Sequence, residues 1–349
     1  MVIFFFVIGS LSALILGHEA GHFAAAKVFG LKVDEFGFGF PPRAFAKKIG
    51  DTEYSLNWLP FGGFVRIAGE EDGMGADAPE VEGASAAEKH RMFFTQPAWK
   101  KSVIVLAGVF VNFLIGWFLI SVILMIGVPK ALIVSGVEPN SPAAQVGIEP
   151  GDILKSYTFS KDFIAFVDAH RGIATELAVV RGGKEMHFLV IPRVTTNPNE
   201  GAVGVFLTEG GEDRVSFFSA IGEGLRRAAA ISALTFQSFY DLIKTLFTKG
   251  ALLPGVVGPV GIISVAEEAG RVGLIYLFQL VSLISLNLAV VNLIPFPALD
   301  GGRFLMVLIE KIKGKPLSKR TESAVNTVGF AFLVILMIAL TVRDVGNLF

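Results

Sequence analysis

The chain has 349 residues, 52% of them hydrophobic, and a mean hydropathy of +0.62; a chain this apolar is an integral membrane protein with some soluble mass. Thirty Lys and Arg against 31 Asp and Glu give a net charge of −1, which argues against a nucleic-acid partner. The absence of cysteine excludes disulfides and thiolate metal ligands.

The first apolar stretch, about residues 2–25, is long enough to cross a bilayer core of about 30 Å. It lacks a basic leading segment and is expected to be a retained helix, not a cleaved signal peptide. From Met1 to Ala26 its only ionisable side chains are His18, Glu19 and His22. Histidines four apart leave one helix face about a turn apart, so both imidazoles reach one metal ion. The glutamate between them is placed to take a proton from metal-activated water, as in zinc peptidases. Such a short pattern also arises by chance, and histidines on apolar faces are commonly structural. Three ionisable groups inside a membrane span are costly, and that cost favours a functional reading.

After the first span come two glycine-rich segments, Phe36-Gly37-Phe38-Gly39-Phe40 and Pro60-Phe61-Gly62-Gly63-Phe64-Val65-Arg66. With the alternation at 54–58 they are consistent with hairpin strands over about 34–67; the plainer alternative is a loop that grazes the interface. A second span is expected at about 103–126, closing a first half-core of residues 1–126.

Residues 130–208 read as a compact α/β domain. Ser141 is a helix cap with Pro142 at the first position, and strand-like runs at 176–181 and 186–192 are joined by Gly182-Gly183. The segment SPAAQVGIEPGDIL resembles the PDZ domains of bacterial envelope proteases. Such domains take a peptide ligand by strand addition; a steric filter that binds nothing is the equal alternative. His170 and His187 read as ordinary surface or strand residues, and His90 lies in a polar loop.

Residues 214–272 are expected to hold an amphipathic helix and a connector. The stretch 219–247 carries Glu223, Arg226, Arg227, Asp241 and Lys244, so it reads as a helix on the membrane surface or packed on the bundle. The Gly- and Pro-rich segment 253–261 then breaks any continuous helix. The second half-core, 273–349, contains spans at about 274–297 and 324–342. The fold class is thus a polytopic α-helical membrane protein with four transmembrane helices, a membrane-associated β-hairpin region and an inserted α/β PDZ-like domain.

The third span ends in Asn292-Leu293-Ile294-Pro295-Phe296-Pro297-Ala298-Leu299-Asp300-Gly301-Gly302. Two prolines here leave backbone groups unpaired, tolerable only where the chain is packed in protein or lines a cavity. Asp300 alone reads first as a cap for a following helix. Beside two histidines it is placed to be a third zinc ligand, leaving a fourth position open for water. With four spans, the catalytic end of the first and Asp300 share one side of the membrane. Basic residues after the first span and between the third and fourth orient that side toward the cytoplasm. The 127–273 segment then lies outside.

HEAGH in the first span together with NLIPFPALDGG in a later one resembles the site-2 protease family of intramembrane zinc metalloproteases. A single PDZ-like insert places the likeness nearest the RseP-like bacterial branch. Ala107-Gly108-Val109-Phe110-Val111-Asn112 and Gly258-Pro259-Val260-Gly261-Ile262 also resemble family segments. The resemblance implies one Zn2+ per chain, held by His18, His22 and Asp300, with Glu19 as general base and Asn292 positioning substrate. It also implies that Gly62, Gly63 and Phe64 belong to a reentrant edge strand that holds the substrate extended. The implied substrates are transmembrane segments of single-span proteins, such as anti-sigma factors or signal-peptide remnants. The implied setting is the lipid of a bacterial inner membrane. Two rivals stand beside this reading. One is a metal transporter, against which the chain shows no internal repeat. The other is a non-catalytic adaptor with a structural metal site, which would want a fourth protein ligand.

Overall fold

Among the described residues the apolar stretches become four long helices with the length and hydropathy to cross a bilayer: Ile3–Val28, Ala98–Ile126, Leu274–Leu293 and Arg320–Gly346. The structure is a computed structural model and describes residues 2–70, 85–195, 200–249, 258–315 and 317–346. The chain divides into two compact units.

The first unit comprises residues 1–117, 227–261 and 281–349. Helix α1 (Val2–Val28) leads into strands β1 (Val33–Ile49) and β2 (Thr52–Ile67). After a short helix α2 (Ala86–Lys89) comes α3 (Ala98–Ile126). β1 and β2 form an antiparallel hairpin that folds back on itself. Gly37 opposes Ser55 on one side and Phe64 on the other, so residues 35–38 have β2 on both flanks. Gly39 and Gly62, at φ +78° and +80°, sit where the two strands bend, a backbone region that favours glycine. Residues 63–67 are thereby left at an outer edge, paired among the described strands with β1 alone. The sheet is seated by a buried cluster of Ala26, Leu31, Val33, Ile67 and Ile104, which joins the end of α1 to both strands and α3.

α1 and α3 approach closely. A β-carbon on Gly21 would lie 2.6 Å from the Ala107 carbonyl oxygen, a small-residue contact of the kind that lets membrane helices meet backbone to backbone.

The second unit comprises residues 118–226 and 262–280. Its centre is a five-stranded sheet in the order β6-β5-β4-β3-β7. The strands are β3 (Val128–Val137), β4 (Ile153–Leu154), β5 (Thr175–Arg181), β6 (Lys184–Val190) and β7 (Val205–Glu212). Helix α4 (Pro142–Val146) is capped by Ser141, whose side chain accepts from Ala144 N, and α5 (Ser160–Ala169) packs Phe163 and Val167 into the core. Asp152 is fully buried and paired with Arg181, 2.6 Å from Oδ1 to Nε and 2.7 Å from Oδ2 to Nη2. This sheet and its two short helices occupy the region expected to hold the α/β insert.

Five further helices follow among the described residues: α6 (Phe217–Lys249), α7 (Pro259–Val272), α8 (Leu274–Leu293), α9 (Asp300–Lys313) and α10 (Lys319–Gly346). α6 is one unbroken helix of 33 residues, and Thr235 on it donates to Asn287 Oδ1 of α8 at 2.7 Å. The connector expected to break the chain at 253–261 lies outside the described residues as far as 257; α7 begins at Pro259. α8 stops at Leu293, short of the expected 297. Pro295 and Pro297 lack the N–H a continuing helix would need, and Ala298 adopts φ +69°. Gly301 and Gly302 let α9 begin against this break. β-carbons there would meet the Ile294 and Phe296 carbonyl oxygens at 2.2 Å.

Candidate active site

α1 projects His18 and His22 from one face, and both are buried. The break after Leu293 returns the chain so that Asp300, the first residue of α9, meets them. Its Oδ2 lies 2.9 Å from His18 Nε2 and 3.5 Å from His22 Nε2; the two Nε2 atoms are 3.2 Å apart. The imidazole planes are nearly perpendicular, at 87°. Asp300 Oδ2 is buried, yet accepts no hydrogen bond of good geometry.

This donor set fits a metal. A tetrahedral zinc with bonds near 2.0–2.1 Å keeps its ligand atoms about 3.3 Å apart, and the three observed separations bracket that value. Two neutral imidazoles and a carboxylate are the chemistry such an ion selects. Among the described residues this is the one group of three or more such side chains able to share an ion. His170 instead bonds the Phe166 carbonyl at 2.7 Å, and His187 pairs with Glu176 on the insert's surface.

The model of Peptidase family M50 matches residues 5–336. The chain belongs to peptidase family M50.

Relatives agree along the whole chain. It is 34% identical to a putative zinc metalloprotease of Clostridium perfringens, over 97% of each chain. It is 28% identical to the regulator of sigma-W protease RasP of Bacillus subtilis, over 96% of each. It is also 28% identical to the zinc metalloprotease RasP of Geobacillus kaustophilus, over 97% of this chain and 96% of that one. As a site-2 protease this chain is a multi-pass intramembrane metalloendopeptidase with Zn2+ as cofactor. That membership decides against the transporter and adaptor readings.

Around these three side chains, the outer nitrogens of both histidines face α3. His22 Nδ1 lies 2.8 Å from the Ile104 carbonyl oxygen, and His18 Nδ1 lies 3.4 Å from the Asn112 amide. Asn112 is 1% exposed. Its motif was singled out in the sequence without a role; the signal was a carboxamide inside a membrane span. Asn292, the expected substrate-positioning residue, sits half-buried near the end of α8.

The expected strand residues sit beside Glu19. A β-carbon on Gly63 would lie 3.7 Å from Glu19 Cγ and 3.0 Å from Leu16 Cδ2, so the edge strand runs against the face of α1 that carries the motif. The Phe64 ring covers Gly37. Past the edge strand, a cavity of about 170 Å³ is lined by Phe64, Val65, Arg66, Ile67, Glu70 and Arg303. Glu70 and Arg303 pair across it at 3.4 Å. Burial pushes the Glu70 carboxyl above its ordinary value, and the Arg303 charge draws it back. Their pairing was not legible in the sequence, because nothing local links positions 233 residues apart.

Proposed function

We propose that His18, His22 and Asp300 hold the zinc, that Glu19 is the general base, and that the 63–67 edge receives the substrate. The observation that carries this reading is the convergence of the two Nε2 atoms and Asp300 Oδ2, with Glu19 on the same helix between the histidines. Zinc at this position supplies Lewis-acid polarisation of the scissile carbonyl and a lowered pKa for the attacking water. Glu19 accepts the proton of that water on its carboxylate and delivers it to the nitrogen of the leaving amine.

The substrate is a transmembrane segment of a single-span protein. A helix hides its peptide bonds, so the segment must unwind, and pairing with a free strand edge replaces the hydrogen bonds it loses. Gly63 beside Glu19 supports placing the unwound segment over the general base. Asn292, Gly62, Gly63 and Phe64 then orient the bound backbone. The Bacillus subtilis relative is named a regulator of sigma-W protease, which supports anti-sigma factors as one substrate class here; signal-peptide remnants are the other.

The basic loops flanking the site orient it to the cytoplasmic face of a bacterial inner membrane, with the PDZ-like insert outside. The insert and α6 act as a gate that admits substrates already trimmed outside. A peptide ligand of the insert would add along one of its edge strands, β6 or β7.

The deciding experiment compares wild type with Glu19→Gln, in detergent, for zinc content and cleavage of a single-span test substrate. Zinc near one per chain in both, with cleavage in wild type alone, is the expected result. Turnover by Glu19→Gln at the wild-type rate would remove Glu19 from the mechanism.

A further inference from the structure

A histidine that ligates through Nε2 while neutral carries its remaining proton on Nδ1, and that N–H needs an acceptor when buried. For His22 the acceptor is the Ile104 carbonyl oxygen, 2.8 Å away. For His18 the polar group facing Nδ1 is the side-chain amide of Asn112, at 3.4 Å with its nitrogen toward the ring. In that orientation Asn112 Oδ1 is buried without a partner. The amide's oxygen and nitrogen exchange places by a half-turn of the side chain. Turned so, Oδ1 faces the His18 Nδ1–H and accepts from it.

We infer that Asn112 is the positioning residue of His18: its carboxamide oxygen accepts the Nδ1 proton and so fixes the tautomer and ring orientation that aim Nε2 at the zinc. This rests on the zinc-site reading above and assigns a role to α3, which contributes no ligand of its own. Ile104, Gly108 and Asn112 recur every four residues and share one face of that helix. At the middle position a β-carbon on Gly108 would lie 2.4 Å from His22 Nε2 and 2.8 Å from His18 Cε1. The rings therefore lie over Gly108 with an oxygen-bearing group on either side. Ser285 of α8 donates to the Asn112 backbone oxygen at 2.7 Å, both groups buried. That bond holds α3 in register with the helix leading toward Asp300.

The test is zinc affinity, measured by chelator competition on the full-length protein in detergent. The variants are Asn112→Leu, Asn112→Asp, His18→Ala and the double variant His18→Ala with Asn112→Leu. Outer partners of zinc-bound histidines are worth about 10- to 100-fold in metal affinity. Asn112→Leu, of similar size but without an acceptor, is expected to lose affinity in that range. Asn112→Asp keeps an acceptor and should bind zinc at least as tightly as wild type. In the His18→Ala background, Asn112→Leu should have no further effect. Wild-type affinity in Asn112→Leu would overturn the assignment, as would an equal loss in both backgrounds or weakened binding by a folded Asn112→Asp. Should Asn112→Leu not fold, Asn112→Asp alone still decides, since a packing role predicts that it weakens zinc. Failure of the underlying zinc site shows separately, as wild type and His18→Ala binding alike.

Discussion

Glu70 and Arg303 join the end of the edge strand to the helix that begins with Asp300, through an ion pair of 3.4 Å. The two partners are unequal: the Glu70 side chain is 14% exposed and that of Arg303 41%. The more buried charge depends more on its partner.

The first prediction follows from that inequality. Arg303→Met leaves a buried carboxylate short of its counter-charge and should cost about 1–3 kcal/mol of stability at neutral pH. Glu70→Gln leaves a guanidinium that water reaches and should cost under about 1 kcal/mol. Burial raises the Glu70 carboxyl in the folded chain, so the folded state holds that proton more tightly than the unfolded state does. Its contribution is favourable below the ordinary carboxylate pKa and is lost as pH rises through the raised value. Thermal unfolding in detergent should therefore show Arg303→Met falling further behind wild type as pH rises from about 4.5. Glu70→Gln should lack that slope. Identical pH slopes in the three proteins would refute the account.

A second prediction concerns Gly108. Because a β-carbon there meets the His22 ring at 2.4 Å, Gly108→Ala must displace an imidazole or separate α1 from α3. Overpacking of this kind costs about 1–3 kcal/mol. At the site it should appear as zinc lost on dialysis and cleavage lowered at least about tenfold. Gly9, whose β-carbon would meet nothing within 4 Å, is the control position: Gly9→Ala should retain zinc and activity.

Which parts of this architecture could be read from sequence depends on how local their causes are. His18 and His22 share a face by helical periodicity alone, and Pro295 and Pro297 stop α8 by chemistry internal to each residue. The pairing of residues 35–38 with β2 on both flanks is non-local. Glycine-rich strands specify register weakly, so their sequence indicates strands without revealing which edge stays free. Asn112 was visible only as a polar residue in a span. Its nearness to His18 depends on how α1 and α3 pack, which near-uniform apolarity along both helices leaves open. The ion pair of Glu70 with Arg303 depends on the return of the chain at Gly301 and Gly302, where backbone contacts decide the path.

The insert provides a third prediction. Asp152 is fully buried and satisfied by Arg181 and the Glu149 N–H. Asp152→Ala leaves the Arg181 guanidinium with Glu149 and the Gly147 carbonyl as partners but releases the turn that Glu149 begins, a loss of about 1–3 kcal/mol. Limited proteolysis of the full chain should then cut within 128–212 faster than in wild type, with zinc content unchanged. Resistance equal to wild type would show that the pair contributes little to the insert.

The last prediction concerns acid. Both histidines must be neutral to ligate, so protons compete with zinc for the same Nε2 atoms. Zinc retention should hold at neutral pH and fall as the medium is acidified. Asp300→Asn tests the carboxylate within that competition. An amide is a weaker zinc donor than a carboxylate and carries no charge to offset the ion. The variant should therefore release zinc at a higher pH than wild type, and at neutral pH should yield it to weaker chelators. Asp300 is the first residue of α9, and Leu299 at the helix start makes no side-chain cap bond. Unchanged zinc release in Asp300→Asn would mean that the carboxylate, though it lies 2.9 Å from His18 Nε2, only orients the imidazole.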